Sequence, residues 1–259
     1  MKSRPNTYSR VLMVGSLLVF DLDGTLVDSA PDLLATLDAV LVQHGFAPLA
    51  DRNTRTGIGH GARYLIEYGL QRHGVAVTTA KLDQMHRDFL AYYEANICVE
   101  SRLYPGTMAL LDRFASAGWV LAVCTNKLEG LSRQVLAALK VEDRFSAICG
   151  GDTFANRKPH PGHLLQTIVA AGGARERAVL VGDSITDLDT ARGAGVPFVG
   201  MTYGYTPVPM AELGPDLLLD SFDALSPNLL QPLIAAAPKH RERAAAAPLS
   251  LDFAPSRTY

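Results

Sequence analysis

Cysteine is scarce in this sequence, with three residues (Cys98, Cys124 and Cys149) in 259. So small and odd a number excludes a disulfide-stapled scaffold and fits a reduced compartment. An excess of one charge is also missing: 24 basic and 26 acidic residues leave a formal net charge of −2. No global field therefore draws in nucleic acid or an anionic membrane. Long apolar runs are absent near the start, where Val11 to Phe20 is interrupted by Gly15 and Ser16. That stretch is too short to span a bilayer. It runs into Asp21-Leu22-Asp23 instead of the small-residue cleavage site of an exported chain. Residues 1–15 read as a polar leader, and Met13 is a second candidate start.

What the chain does have is 48% hydrophobic and 19% charged residues, an ordinary globular mixture. Its length suits one large domain, or one domain with an insert. Short continuous apolar runs end abruptly in polar residues: Leu17–Phe20, Val120–Val123, Ala147–Cys149, Val179–Val181, Phe198–Val199 and Leu217–Leu219. Such runs predict strands buried on both faces, as in a parallel sheet. Helical patterns lie between them at Met108–Ala117, Leu128–Leu139 and Pro161–Ala171, the last opening on proline and stopping at Gly172-Gly173. The alternation predicts an α/β fold with a doubly wound parallel sheet. Between Pro31 and Arg102 the rhythm breaks, and the pattern predicts helices at Pro31–His44, Gly61–His73 and Thr79–Asn96. Residues 31–102 thus form a helical insert on a core made of residues 16–30 and 103–235, with a loose tail over 236–259.

In open α/β sheets, ligands sit beyond the carboxyl ends of the strands. Asp21 and Asp23, Thr125 and Asn126, and Asp183 with Asp187 should therefore converge. The spacing of Asp21 and Asp23 matches the strand period, which places both side chains on one side while the chain stays extended. So many carboxylates repel one another unless a cation is present. An all-oxygen donor set suits Mg²⁺, which also binds substrate phosphate. Asp187 is the weakest member, because an acid near a helix start is favourable for the helix dipole alone.

Other motifs carry less. Gly57-Ile58-Gly59-His60-Gly61 follows no strand and lacks the third glycine of a dinucleotide loop. It reads as a loop at the start of an insert helix, flanked by Arg55, His60 and Arg63, which could meet a substrate's carboxylate or form a solvated basic face. His160 and His163 lack the second ligand pair of a zinc site. Cys124 reads as a core residue.

Val19-Phe20-Asp21-Leu22-Asp23-Gly24-Thr25-Leu26, Val123-Cys124-Thr125-Asn126, Lys158-Pro159-His160-Pro161 and Val181-Gly182-Asp183-Ser184 through Asp187 resemble, in order, the four motifs of the haloacid dehalogenase-like hydrolase superfamily. The stretches Asp21–Leu33, Thr125-Asn126-Lys127, Gly150-Gly151-Asp152 and Thr202–Tyr205 further resemble its bacterial phosphoglycolate phosphatase branch. The resemblance implies a Rossmann-like core with the insert as a cap. It implies Asp21 as nucleophile, Asp23 as general acid and base, Thr125 and Lys158 on the phosphoryl group, and Mg²⁺ held by Asp21, the Asp23 carbonyl and Asp183. Asn126, Arg55 and His60 are the expected substrate contacts. The implied partner is a small phosphorylated metabolite met in the cytoplasm by a monomer or homodimer, with no nucleic acid or membrane partner.

Asp23 speaks against the dehalogenase branch, since a leaving halide needs no acid, and against the phosphonatase branch, which resembles a pattern with alanine there. A sugar phosphomutase, a pyrophosphatase and a non-catalytic binding module share the fold and remain alternatives at this level.

Overall fold

The computed structural model describes residues 15–49, 55 and 57–236. The leader, Met13 and the tail beyond residue 236 lie outside them. Chain order begins with β1 (Leu17–Phe20), β2 (Val27–Asp28) and the helices α1 (Ala30–Gln43), α2 (Ala62–Arg72) and α3 (Thr79–Ala95). It continues with β3 (Arg102–Leu103), α4 (Thr107–Ser116), β4 (Val120–Cys124), α5 (Glu129–Ala138), β5 (Ala147–Cys149) and α6 (Pro161–Ala170). Then follow β6 (Ala178–Gly182), α7 (Ile185–Ala194), β7 (Phe198–Met201), α8 (Met210–Leu213), β8 (Leu217–Leu219) and α9 (Pro227–Ala235). All six expected strands and all six expected helices form, with ends shifted by one or two residues.

Six strands build one parallel sheet in the order β5-β4-β1-β6-β7-β8. β1 lies at its centre, and Phe20 stands level with Val123 on one side and Val181 on the other. The polar residues that follow these three strands are thereby brought to one edge. Strand alternation sorts the core into two layers. Leu18 and Phe20 pack with Leu110, Phe114, Val135 and Leu230 on one face. Leu17 and Val19 pack with Leu164, Ile168, Leu188 and Ala191 on the other. Helices therefore cover both faces, as a doubly wound sheet requires.

The helices α1, α2 and α3 gather a separate apolar cluster around Leu37, Leu41, Ile66, Met85, Phe89 and Tyr93. A feature the sequence reading missed joins this unit to the sheet. The outgoing β2 pairs antiparallel with the returning β3, Val27 opposite Leu103 and Asp28 opposite Arg102. Two-residue strands carry too little periodicity to be seen in sequence. The stem is fastened by the buried Asp32 carboxylate, which accepts from the Glu100 amide (2.8 Å), the Ser101 amide (2.9 Å) and the Ser101 hydroxyl (2.6 Å).

Asp32→Ala leaves those donors without their acceptor, and we expect it to lower the unfolding free energy by about 2–4 kcal/mol. Urea denaturation checks this; a midpoint equal to the parent's would remove Asp32 from the account of the stem.

Candidate active site

Asp21 emerges from the end of β1, its amide donating to the Val181 carbonyl at 2.9 Å. Its own Oδ1 accepts from the Leu22 amide at 2.7 Å and lies 2.8 Å from Lys158 Nζ. The same ammonium donates to Asp187 Oδ1 at 2.6 Å. The other Asp187 oxygen accepts from the Ser184 hydroxyl (2.6 Å) and amide (3.2 Å), while the Ser184 hydroxyl caps α7. Asp187 is thus both a capping-box acid and the partner of Lys158, which is more than the helix-dipole role alone.

Asp183 follows β6. It accepts the Thr25 hydroxyl at Oδ1 (2.6 Å) and the Tyr205 amide at Oδ2 (2.7 Å). Two glycines make room for it. A Cβ on Gly204 would sit 2.0 Å from Asp183 Cβ. Gly24, at φ +88°, would place one 2.5 Å from Asp183 Oδ2. Only glycine permits backbone this close to the carboxylate.

One carboxylate oxygen each from Asp21, Asp183 and Asp187 lies within 4.8 Å of the others, and all three residues are buried. Burial, then the Asp187 charge, pushes Asp21 up from the usual 3.8 to about 7, against the pull of Lys158. Burial, then Asp187 and Asp21, pushes Asp183 up to about 8. Burial opposes the charge on Lys158, yet Asp187 and Asp21 outweigh it and hold the ammonium above the usual lysine range. Three clustered carboxylates, only two of them paired with the ammonium, make an all-oxygen donor set that fits a hard divalent cation such as Mg²⁺.

The carboxylate of Asp23 lies outside that cluster. The chain turns directly after Asp21, with the Leu22 carbonyl accepting from the amides of Thr25, Leu26 and Val27. The expected extended run through Asp23 is therefore replaced by a turn, and the two carboxylates acquire different neighbours. Asp23 Oδ1 accepts the Ser29 hydroxyl at 2.6 Å, and both its oxygens lie 3.2 Å from Lys127 Nζ. Asp21, Asp23 and Asp183 nevertheless line one cleft, together with Gly57, Tyr64 and Tyr205.

Thr125 is buried at the end of β4, its amide donating to the Cys149 carbonyl at 3.0 Å. Asn126 ties this loop to the lysine-bearing one, its side-chain amide donating to the Lys158 carbonyl at 3.1 Å. Arg55, expected at a substrate's anionic end, pairs instead with both oxygens of Asp28 (3.1 and 3.2 Å), with its guanidinium over the Tyr205 ring. His60 ends a short 3₁₀ turn, Ile58–His60, and its side chain is outside the described features. His163 is buried; desolvation, then Lys158, pushes it down to about 4, so it packs as a neutral ring. Its Nδ1 accepts the Lys158 amide at 3.2 Å.

Two residues of the site were not singled out by sequence reasoning. Tyr205 donates its hydroxyl to Asp28 (2.8 Å) and accepts from the amides of Ser29 (2.8 Å) and Ala30 (3.0 Å). It thereby satisfies the first amides of α1, whose Ser29 hydroxyl is committed to Asp23 instead of capping its own helix. Lys127 is the other. Both lay inside stretches quoted for the resemblance, but neither type at a loop position signals a role without its spatial partner.

Residues 18–201 match the family model described as haloacid dehalogenase-like hydrolase. A phosphoglycolate phosphatase of Agrobacterium fabrum is 43% identical over 235 residues, covering 91% of this chain and 97% of that protein. One from Mesorhizobium japonicum is 44% identical over 221 residues, covering 85% and 97%. A crystal structure described as a predicted phosphoglycolate phosphatase from Haemophilus somnus superposes with a TM-score of 0.74 at 33% identity, over 80% of this chain and 95% of that one.

An acid with a folded-state pKa above its unfolded value binds more protons when folded, so its contribution to stability falls as pH rises. For Asp21 and Asp183, raised from 3.8 to about 7 and about 8, that window runs from about pH 4 to about pH 8. The increase in Tm on adding Mg²⁺ should therefore be larger at pH 8 than at pH 5. Thermal melts of metal-stripped protein with and without Mg²⁺ measure it, and equal increments at both pH values would contradict the charge account.

Proposed function

From the premise that the chain belongs to the haloacid dehalogenase-like hydrolase family, we propose that it is a Mg²⁺-dependent phosphomonoesterase acting on 2-phosphoglycolate. The observation that carries this reading is the buried Asp21 carboxylate, held at the end of β1 by Lys158 on the same cleft as Asp23 and Asp183. The choice of substrate is supported by the names of the relatives.

In the proposed reaction, an Asp21 oxygen attacks phosphorus as the bond to the leaving oxygen breaks, giving an aspartyl-phosphate. Asp23 gives its proton to that leaving oxygen and then takes one from the water that attacks the acyl phosphate. The Thr125 hydroxyl donates to a phosphoryl oxygen. Lys158 neutralises charge there and fixes the orientation of Asp21. Asp187 in turn fixes Lys158. Asp21, the Asp23 backbone carbonyl and Asp183 would hold the cation, which supplies charge neutralisation to the phosphoryl oxygens when bound.

The helical unit over residues 31–102 acts as the cap on the core formed by residues 16–30 and 103–235. Asn126, Arg55 and His60 are assigned to the substrate-contacting rim: Asn126 by its tie to the Lys158 loop, Arg55 by its seat over Tyr205, His60 by its place beside Gly57 and Gly59. Closing the cap excludes water from the first step, and reopening admits it for the second.

Asp21→Asn removes the nucleophile without changing size, and we expect kcat to fall by at least about 10³-fold. Phosphate release from 2-phosphoglycolate measures this, and removal of divalent ions with EDTA should abolish turnover until Mg²⁺ is restored. An Asp21→Asn protein as fast as the parent, or an enzyme indifferent to chelation, would refute the proposal.

A further inference from the structure

Lys127 has no part in the reaction just described, yet it occupies a singular place. Its side chain is 6% exposed, its ammonium lies 3.2 Å from both oxygens of Asp23, and it sits 4.4 Å from the centre of the Tyr93 ring. Burial opposes its charge, but Asp23 first and then Tyr93 outweigh that cost and keep it protonated. The other two cations described around the site serve other carboxylates. Lys158 bridges two carboxylates, and Arg55 is bidentate on Asp28.

Position decides what Lys127 can read. If Asp23 delivers a proton to the leaving oxygen, the atoms bonded to that oxygen lie beside Asp23. In a phosphoester of a small 2-hydroxy acid, the carboxylate is carried by the carbon attached to that oxygen. It therefore arrives within a few ångströms of the ammonium that Asp23 already holds. Tyr93 belongs to α3 of the helical unit, so Lys127 is covered from that side. The ammonium thus sits between the Tyr93 ring on one side and the Asp23 carboxylate on the other.

We propose that Lys127, backed by Tyr93, is the specificity-determining cation that receives the carboxylate of the leaving group. It selects phosphoesters of small hydroxy acids over neutral alkyl phosphates. This rests on the proposed phosphomonoesterase reading and deepens it. It also moves recognition of the substrate's anionic end from Arg55 on the rim to a buried lysine next to the general acid.

The test compares kcat/KM for 2-phosphoglycolate with that for ethyl phosphate, which has the same two-carbon chain without the carboxylate. In the unmodified protein the ratio should be about tenfold or more; a ratio near one overturns the inference however the variants fold. Lys127→Met keeps the apolar stem against Tyr93 and should collapse the ratio by at least about tenfold, mainly through KM for 2-phosphoglycolate. Lys127→Arg, which keeps the cation, should retain most of it. If Lys127→Met lowers both activities together and leaves the ratio intact, Lys127 acts only through Asp23 and the inference is wrong. Release of phosphate from neither ester by the unmodified protein would instead sink the underlying phosphatase reading.

Discussion

Three buried carboxylates cluster around a single ammonium that pairs with two of them, and the rest of this structure is arranged around the charge imbalance that results. Asp21, Asp183 and Asp187 come from the ends of two neighbouring strands and the start of α7, with Lys158 between two of them. Left in a low-dielectric setting, such a group raises its own proton affinity. The scaffold holds it together nonetheless. Thr25, Ser184 and the Tyr205 amide donate to the carboxylates, and Gly24 and Gly204 let the backbone approach Asp183 closely. Such a cluster is costly alone, and a bound cation would relieve that cost.

A second electrostatic unit sits a turn away and is built differently. Asp23 is balanced one-to-one by Lys127, with Ser29 completing its hydrogen bonds. The separation is produced by the turn at Leu22, which sends two carboxylates only two residues apart into unlike surroundings. Adjacent acids in different environments can take different chemical roles. Tyr205 links this region to the helical unit, since its hydroxyl serves the start of α1 while its amide serves Asp183.

Much of this was legible in the sequence. Buried strands announce themselves as short apolar runs with polar ends, and all six appear in the sheet where expected. Asp21 and Asp183 were legible because they follow strands, where topology predicts convergence, and Lys158 through the resemblance of Lys158–Pro161 to a family motif. The stem formed by β2 and β3 was not, because two residues per strand carry no period. Arg55 was expected to meet a substrate's carboxylate or to lie on a solvated basic face, because its partner Asp28 lies 27 residues away. Lys127 and Tyr205 were passed over for the matching reason: a lysine or tyrosine in a loop becomes informative only when its neighbour in space is known.

Strand period and the parallel α/β rule are local properties of the chain, so the residues able to do chemistry, and the end of the sheet where they meet, could be read from the amino-acid order. How those residues pair was settled by packing. It assigned Asp187 to Lys158, Asp23 to Lys127 and Arg55 to Asp28. Pairing depends on distances between segments far apart along the chain, and electrostatic energy falls with that distance, so the partners of a charge are set by packing and not by its neighbours in sequence.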